Sequence, residues 1–293
     1  MGTIGNILNI VTFLSQDYRT KACILYLIFS SSINICFANL YLIIYLVAQY
    51  SGVNIIQTNR PMCKIFGYIS VCSAAITATC LFLSTLDRCF STSRTVRYRQ
   101  LSNWSLAQRL LIITVLFLLI SSIFSLIVYD LYNGMCTSAP GLGSIAVIVY
   151  ANIFITLIPH GGMLICGIIT WINMRQMTNR INPDSGASNA TSAVQKMNRQ
   201  LLILIFIEAL VDIILEVQRN ITATYNLITN SIEKSIERQQ IEHFVIQLSI
   251  ILYTVKQGMS FYIYCFCSDI FRKNCRKSLK SLMNRLYCFN RHD

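Results

Sequence analysis

Apolar stretches of spanning length alternate with short polar and charged breaks along this 293-residue chain. The runs fall near 22–47, 61–90, 106–131, 144–174, 200–219 and 241–266. Each is long enough, as a helix, to cross a hydrocarbon layer about 30 Å thick with some tilt. The run Met1–Leu14 differs, because as a helix it would reach only about 21 Å, half a span. No basic n-region and no small-residue cleavage site precede the next charged loop, so it does not read as a signal peptide. The chain is expected to begin inside its first helix, as a truncated gene model or fragment, the alternative being a genuinely short helix. The predicted fold class is all-α: a seven-transmembrane helix bundle over 1–267 with an incomplete first helix, followed by a cytoplasmic tail over 268–293.

The polar breaks have their own patterns. Thr178–Ala193 contains Asn-Pro-Asp-Ser-Gly followed by Ser, Asn and Thr, which predicts a flexible cytoplasmic loop. In the tail, Ile270, Phe271, Cys275, Leu279, Leu282, Met283 and Leu286 recur at roughly helical spacing among Lys, Arg, Ser and Asn. That pattern predicts an amphipathic helix lying on an anionic leaflet, with Cys288 a candidate for palmitoylation. No internal repeat is visible, which disfavours transporters built from duplicated halves.

Composition fits the same class. Hydrophobic residues make up 54%, mean hydropathy is +0.55 and only 12% of residues are charged, against about a quarter in soluble domains. Placing 16–21, 88–109, 175–199 and the tail from 268 on one side assigns 18 of the 24 Lys and Arg to it. The opposite loops receive Arg60, Lys64, Arg219, Lys234 and Arg238, and Lys256 is left within a span. The first side is then cytoplasmic, which gives a multi-pass protein of the plasma membrane with a cytoplasmic C-terminus. The net charge of +12 reports topology and contact with anionic lipids. No soluble basic domain is present to bind nucleic acid.

This topology puts Cys63 and Cys136 outside. A disulfide between them would tie the loop after the fourth span to the head of the third, and the alternative is two free thiols near the surface. Asn220-Ile221-Thr222 is a glycosylation sequon on the outer side, in a polar outer loop 220–240. Inside the membrane, Glu208, Asp212 and Glu216 recur every four residues and share one helix face. Lys256 lies in the seventh span, and ionisable groups at that depth normally face the bundle interior and pair. A Lys256–Asp212 pair is expected, with Glu216 nearer the outer mouth and available to a cationic ligand group; the alternative is acids neutralised by protonation or water.

At the end of the 61–90 run stands Asp87-Arg88-Cys89, twenty-five residues beyond Cys63 for the arginine, or roughly 38 Å along a helix. With Gly5-Asn6 in the first run, Pro159 in the fifth, Ser260-Phe261-Tyr262-Ile263-Tyr264 in the seventh and Phe271 seven residues later, the chain resembles the rhodopsin-like G-protein-coupled receptors over nearly its whole length. The resemblance implies a switch: Arg88 pairs with Asp87 in the closed bundle and is released toward a heterotrimeric G protein when helices separate. Tyr264 would fill the space near Arg88 in the active bundle, the alternatives being an Arg88 that only snorkels and an interfacial tyrosine, and Phe271 would start the tail helix. Asn6, Asn34, Asp212, Lys256 and Ser260 would form an intramembrane polar network.

The chain also departs from that family. Asn34 replaces the aspartate that helps bind sodium, Gly167 the fifth-helix tyrosine, and Phe261 the seventh-helix proline. The sixth helix reads Ile213-Ile214-Leu215-Glu216-Val217-Gln218 with no Trp-x-Pro, so the usual kink is missing. Ser70 stands where amine receptors carry an acid, and Thr254 where opsins carry the retinal lysine. These positions remain ligand-contact candidates with Glu216, and the tail motif resembles that of invertebrate orphan and neuropeptide-type receptors, which makes a peptide the expected extracellular ligand. A transporter or channel, suggested by the intramembrane charges, and a non-signalling pseudoreceptor are the competing readings. His160, His243 and His292 form no metal or triad spacing, so no enzyme activity and no cofactor is expected.

Overall fold

The computed structural model describes residues 2–15, 21–132, 134–139, 141–178, 189–229 and 235–289. Almost all of them are helical. The long helices are α1 (Gly2–Phe13), α2 (Ala22–Ser51), α3 (Arg60–Ser91) and α4 (Trp104–Ser121). They continue with α5 (Leu142–Tyr150, extended by Ala151–Leu157 and Ile158–Thr178), α6 (Asn189–Thr229), α7 (Ile236–Cys267) and α8 (Asp269–Phe289). Five of the helices are long and apolar enough to cross a membrane: α2, α3, α4 with its extension to Val128, α5 to Asn173, and α7. The protein is thus a predominantly helical, multi-pass membrane type. Helix α6 is longer than any of these, with Glu208, Asp212 and Glu216 in its middle.

Local chemistry sets the ends. Asn59 and Asn103 accept backbone N–H bonds from Met62 and Ser105 at the starts of α3 and α4, and Ser235 accepts one from Arg238 at the start of α7. Gly52, at φ +67°, closes α2 in the left-handed region. Ser268 breaks the chain between α7 and α8 and accepts the Phe271 N–H at 3.1 Å. In α5, Pro159 has no N–H to give and its ring crowds the preceding turn. The seven residues Ala151–Leu157 just before it adopt the wider π-helical winding.

The packing is a ring in which α1 touches α2 and α7, α2 touches α4, α5 touches α6, and α6 touches α7, with α4 meeting α5 through the Ser121 and Tyr150 hydroxyls at 2.9 Å. Helix α3 runs through the middle, against α2, α4, α5 and α6. Its most apolar window is 67% buried, against 11–22% for the other four candidate spans. Those outer helices instead expose Ile, Leu and Val in rows, the surface expected to face lipid. Close approach relies on small residues. A Cβ on Gly258 would lie 2.6 Å from Gly2 Cα at the α1–α7 crossing, and one on Gly167 would lie 2.8 Å from the Phe206 ring where α5 meets α6.

Several boundaries differ from the sequence reading. The fourth run does not continue to 131: after Phe124–Val128 the chain becomes an antiparallel hairpin, β1 (Tyr129–Tyr132) and β2 (Met135–Ser138), with Leu131 opposite Cys136. Tyr129 and Asp130 prefer the pairing edge of a strand to a lipid-facing helix, and Asn133-Gly134 is a strong hairpin signal, with Gly134 at φ +74°. Helix α6 reaches Thr229 and α7 starts at Ile236, so 220–229 and 236–240 of the expected outer loop are helical. The loop expected over Thr178–Ala193 has residues 179–188 outside the described residues, and from Asn189 the chain is helical.

Candidate functional site

Three sites lie along the axis of α3 and its neighbours. At one end, Cys63 and Cys136 form a disulfide, fixing the hairpin to the head of α3. It closes a loop with a sequence separation of 73, for which chain entropy alone suggests about 4 kcal/mol of stabilisation. Beside it, Asp130 takes both Arg60, through two N–H donors, and Lys64 at 3.9 Å. The Arg60 hydrogen bond, with help from the Leu131 N–H, lowers the Asp130 pKa from 3.8 to about 2.

At the other end, Arg88 is only 4% exposed and donates to Asp87 at 2.7 Å. The second oxygen of Asp87 accepts from Ser102 Oγ, also at 2.7 Å, in the segment that joins α3 to α4. Arg88 Nε has no hydrogen-bond partner among the described residues. Cys89 is buried near Cys166 of α5. Tyr264 does not donate to the Arg88 region. Its hydroxyl donates to Glu208 on α6, and its ring packs edge-on against Phe13 and tilted against Phe271, itself 0% exposed. The aromatic trio thus joins α1, α7 and α8. Outward from it, Arg272, Lys273, Arg276, Lys277 and Lys280 are exposed on α8, while Phe271 and Cys275 face inward. The side chains of Leu282, Leu286 and Cys288 lie outside the described residues.

Between these ends, the acid face of α6 meets α7. Lys256 Nζ lies 3.3 Å from Asp212, donates to Glu216 at still closer range, and is 11% exposed. His160 of α5 also approaches Glu216, its Nε2 3.7 Å from the same oxygen that Lys256 reaches. A cavity of about 30 Å³ adjoins the cluster, lined by Asn34, Thr77, Glu208, Asp212, Lys256 and Ser260 among others. That is room for one or two waters and too little for a ligand of any size. Asn6 contributes from α1 by donating to the Gln257 carbonyl at 2.9 Å, and Gln257 also lines the cavity.

Three sequence-based placements are corrected. Glu216 is not free at an outer mouth: it is 2% exposed and taken up by Lys256, because Lys256 lies opposite both acids and a buried carboxylate keeps whatever cation can reach it. Thr254 is exposed on the outside of α7 with its hydroxyl turned back to Ile250 O at 2.8 Å; the interior register belongs to Lys256, two residues on. Asn220 lies within α6, where its amide donates to Thr156 of α5, so it is not presented in a loop. Together with Asn152 donating to Thr224 at 3.2 Å, it joins α5 to the C-terminal part of α6. Ser70 is half-buried, and its carbonyl accepts from Ser73 at 3.2 Å.

Sequence reasoning missed three members: His160, Ser102 and the role of Tyr264 toward Glu208. The histidine had a signal, since it follows Pro159 in an apolar span where a polar side chain faces inward for want of water. No family model matches the chain, and no curated protein is similar to it.

Proposed function

We propose that the chain is a seven-span receptor of the rhodopsin-like kind, which carries the binding of an extracellular peptide to a heterotrimeric G protein at its cytoplasmic end. One observation carries the reading: a single central helix has its head tied to a hairpin by Cys63–Cys136 and, at its far end, a buried Asp87–Arg88 pair. An arginine kept dry by its own neighbour is a latent partner site, released when the helices around it part. In this reading α1 and α6 complete the seven spans, and the three acids of α6 are tolerated because they face the bundle interior, where Lys256 pairs with Asp212 and Glu216. The basic face of α8 lies on anionic headgroups. The altered sixth and seventh helices imply that opening begins at the Lys256 cluster, since no proline hinge is available to α6.

The test is a peptide panel applied to cells that display the full chain, read by G-protein dissociation. A responding peptide whose signal Arg88→Ala abolishes, with surface display retained, supports the receptor. Silence across the panel despite surface display counts against it. The charged cavity favours a secondary transporter as the other reading, and ion-coupled solute flux without any G-protein response would establish that instead.

A further inference from the structure

His160 is 4% exposed, and its Nδ1 faces the Thr156 carbonyl at 3.1 Å. A carbonyl only accepts, so Nδ1 carries a hydrogen, and in the neutral ring Nε2 keeps its lone pair. That lone pair has no hydrogen-bond partner among the described residues, yet it points to the Glu216 carboxylate 3.7 Å away. The Glu216 oxygen it faces already takes Lys256, so a cation held between His160 and Glu216 would replace that ammonium. Asp212 is the third member, and one ligand atom from each of His160, Asp212 and Glu216 falls within 4.8 Å of the others. The charge balance points the same way: Glu208, Asp212 and Glu216 face α7, while Lys256 is the cation paired with Asp212 and Glu216. One divalent cation added to Lys256 would balance all three acids.

We propose that His160 Nε2, Asp212 and Glu216 form a binding site for one divalent first-row transition cation, with the Lys256 ammonium as its tethered competitor. One imidazole and two carboxylates are a hard-to-borderline donor set, suited to Mn2+, Fe2+ or Zn2+. Bonds of about 2.0–2.2 Å would draw the three ligand atoms together by roughly 1 Å. The ammonium would move toward the adjoining cavity, where Asn34, Thr77, Gln257 and Ser260 offer polar contacts. Metal and lysine then hold α6 differently: Lys256 ties it to α7, whereas the cation ties it to α5 through His160. The site does not depend on the receptor reading, because its readout is binding.

The probe is Mn2+, which thiolates compete for poorly, so the free cysteines do not confuse the assay. The full chain is purified through a tag without histidine in a His243→Asn, His292→Asn background, leaving His160 as the sole imidazole of the three in the chain. One Mn2+ per chain is expected, with imidazole nitrogen modulation in its pulsed EPR spectrum, and at least tenfold weaker binding after His160→Ala. The second arm needs no loss of function. At a hundredfold excess over its Kd, Mn2+ is expected to raise the Tm of Lys256→Met by about 5 °C, and by more than it raises that of the parent. Bound Mn2+ without nitrogen modulation, no saturable binding, or a Tm of Lys256→Met that Mn2+ does not move would overturn the site.

Discussion

Arg88 and Lys256 are both buried cations, but they are held in opposite ways. Arg88 pairs with the residue before it on α3, and among the described residues Asp87 takes one further side-chain hydrogen bond, from Ser102 in the next connection. Lys256 stands on α7 and pairs with two acids on α6. The first arrangement leaves neighbouring helices free to move without breaking an ion pair, whereas the second must lose its pairs before α6 and α7 can separate. In this protein, then, the sixth helix is restrained at mid-bundle through Lys256 and Tyr264, and the arginine at the end of α3 is no clamp on it.

That contrast fixes an order of expected effects. Lys256→Met leaves two buried carboxylates facing each other and should cost about 3–5 kcal/mol, seen as a large fall in Tm and in surface display; a loss below about 1 kcal/mol would remove the contrast. Tyr264→Phe strips the hydroxyl from Glu208 while keeping the ring against Phe13 and Phe271, and about 1–3 kcal/mol is expected from detergent melting curves. Ser102→Ala removes one bond to Asp87 and leaves Arg88 paired, for about 1 kcal/mol. Spin labels on α6 and α7 should report unchanged distances in that variant, against a widened distribution in Lys256→Met.

The smallest effect belongs to the exposed pairing of Arg60 with Asp130, a solvent-screened control for both buried cations. The folded-state pKa of Asp130 is about 2, below the ordinary 3.8. The contribution is therefore fully present above about pH 4, and it fades as pH falls toward 2. Hydrogen exchange of the β1–β2 hairpin should be flat from pH 7 to 5 once corrected for intrinsic rates, and Asp130→Asn should speed it only slightly.

What the sequence made legible follows from the same physics. Apolar run length is enough to locate most of the helices, and the four-residue spacing of Glu208, Asp212 and Glu216 is enough to put them on one face toward Lys256. Spacing does not say which acid the lysine prefers, since that depends on the depth and rotation of α7, and a shift of two residues separates the inward Lys256 from the outward Thr254. Asn220 shows another limit. Its sequon is a local pattern, whereas the helix that absorbs it is held by Thr156 and Thr224 contacts far apart in the chain. The hairpin at Tyr129–Ser138 was hidden because Ile and Val before it prolong the apolar run past the end of α4.

The most direct test of the α6–α7 restraint is a double-mutant cycle on thermal stability, measured in chelator, with Lys256→Met, Glu216→Gln and the pair together. Direct pairing predicts that the double variant is less destabilised than the sum of the two singles by about 2 kcal/mol or more. Additivity within about 0.5 kcal/mol would contradict it.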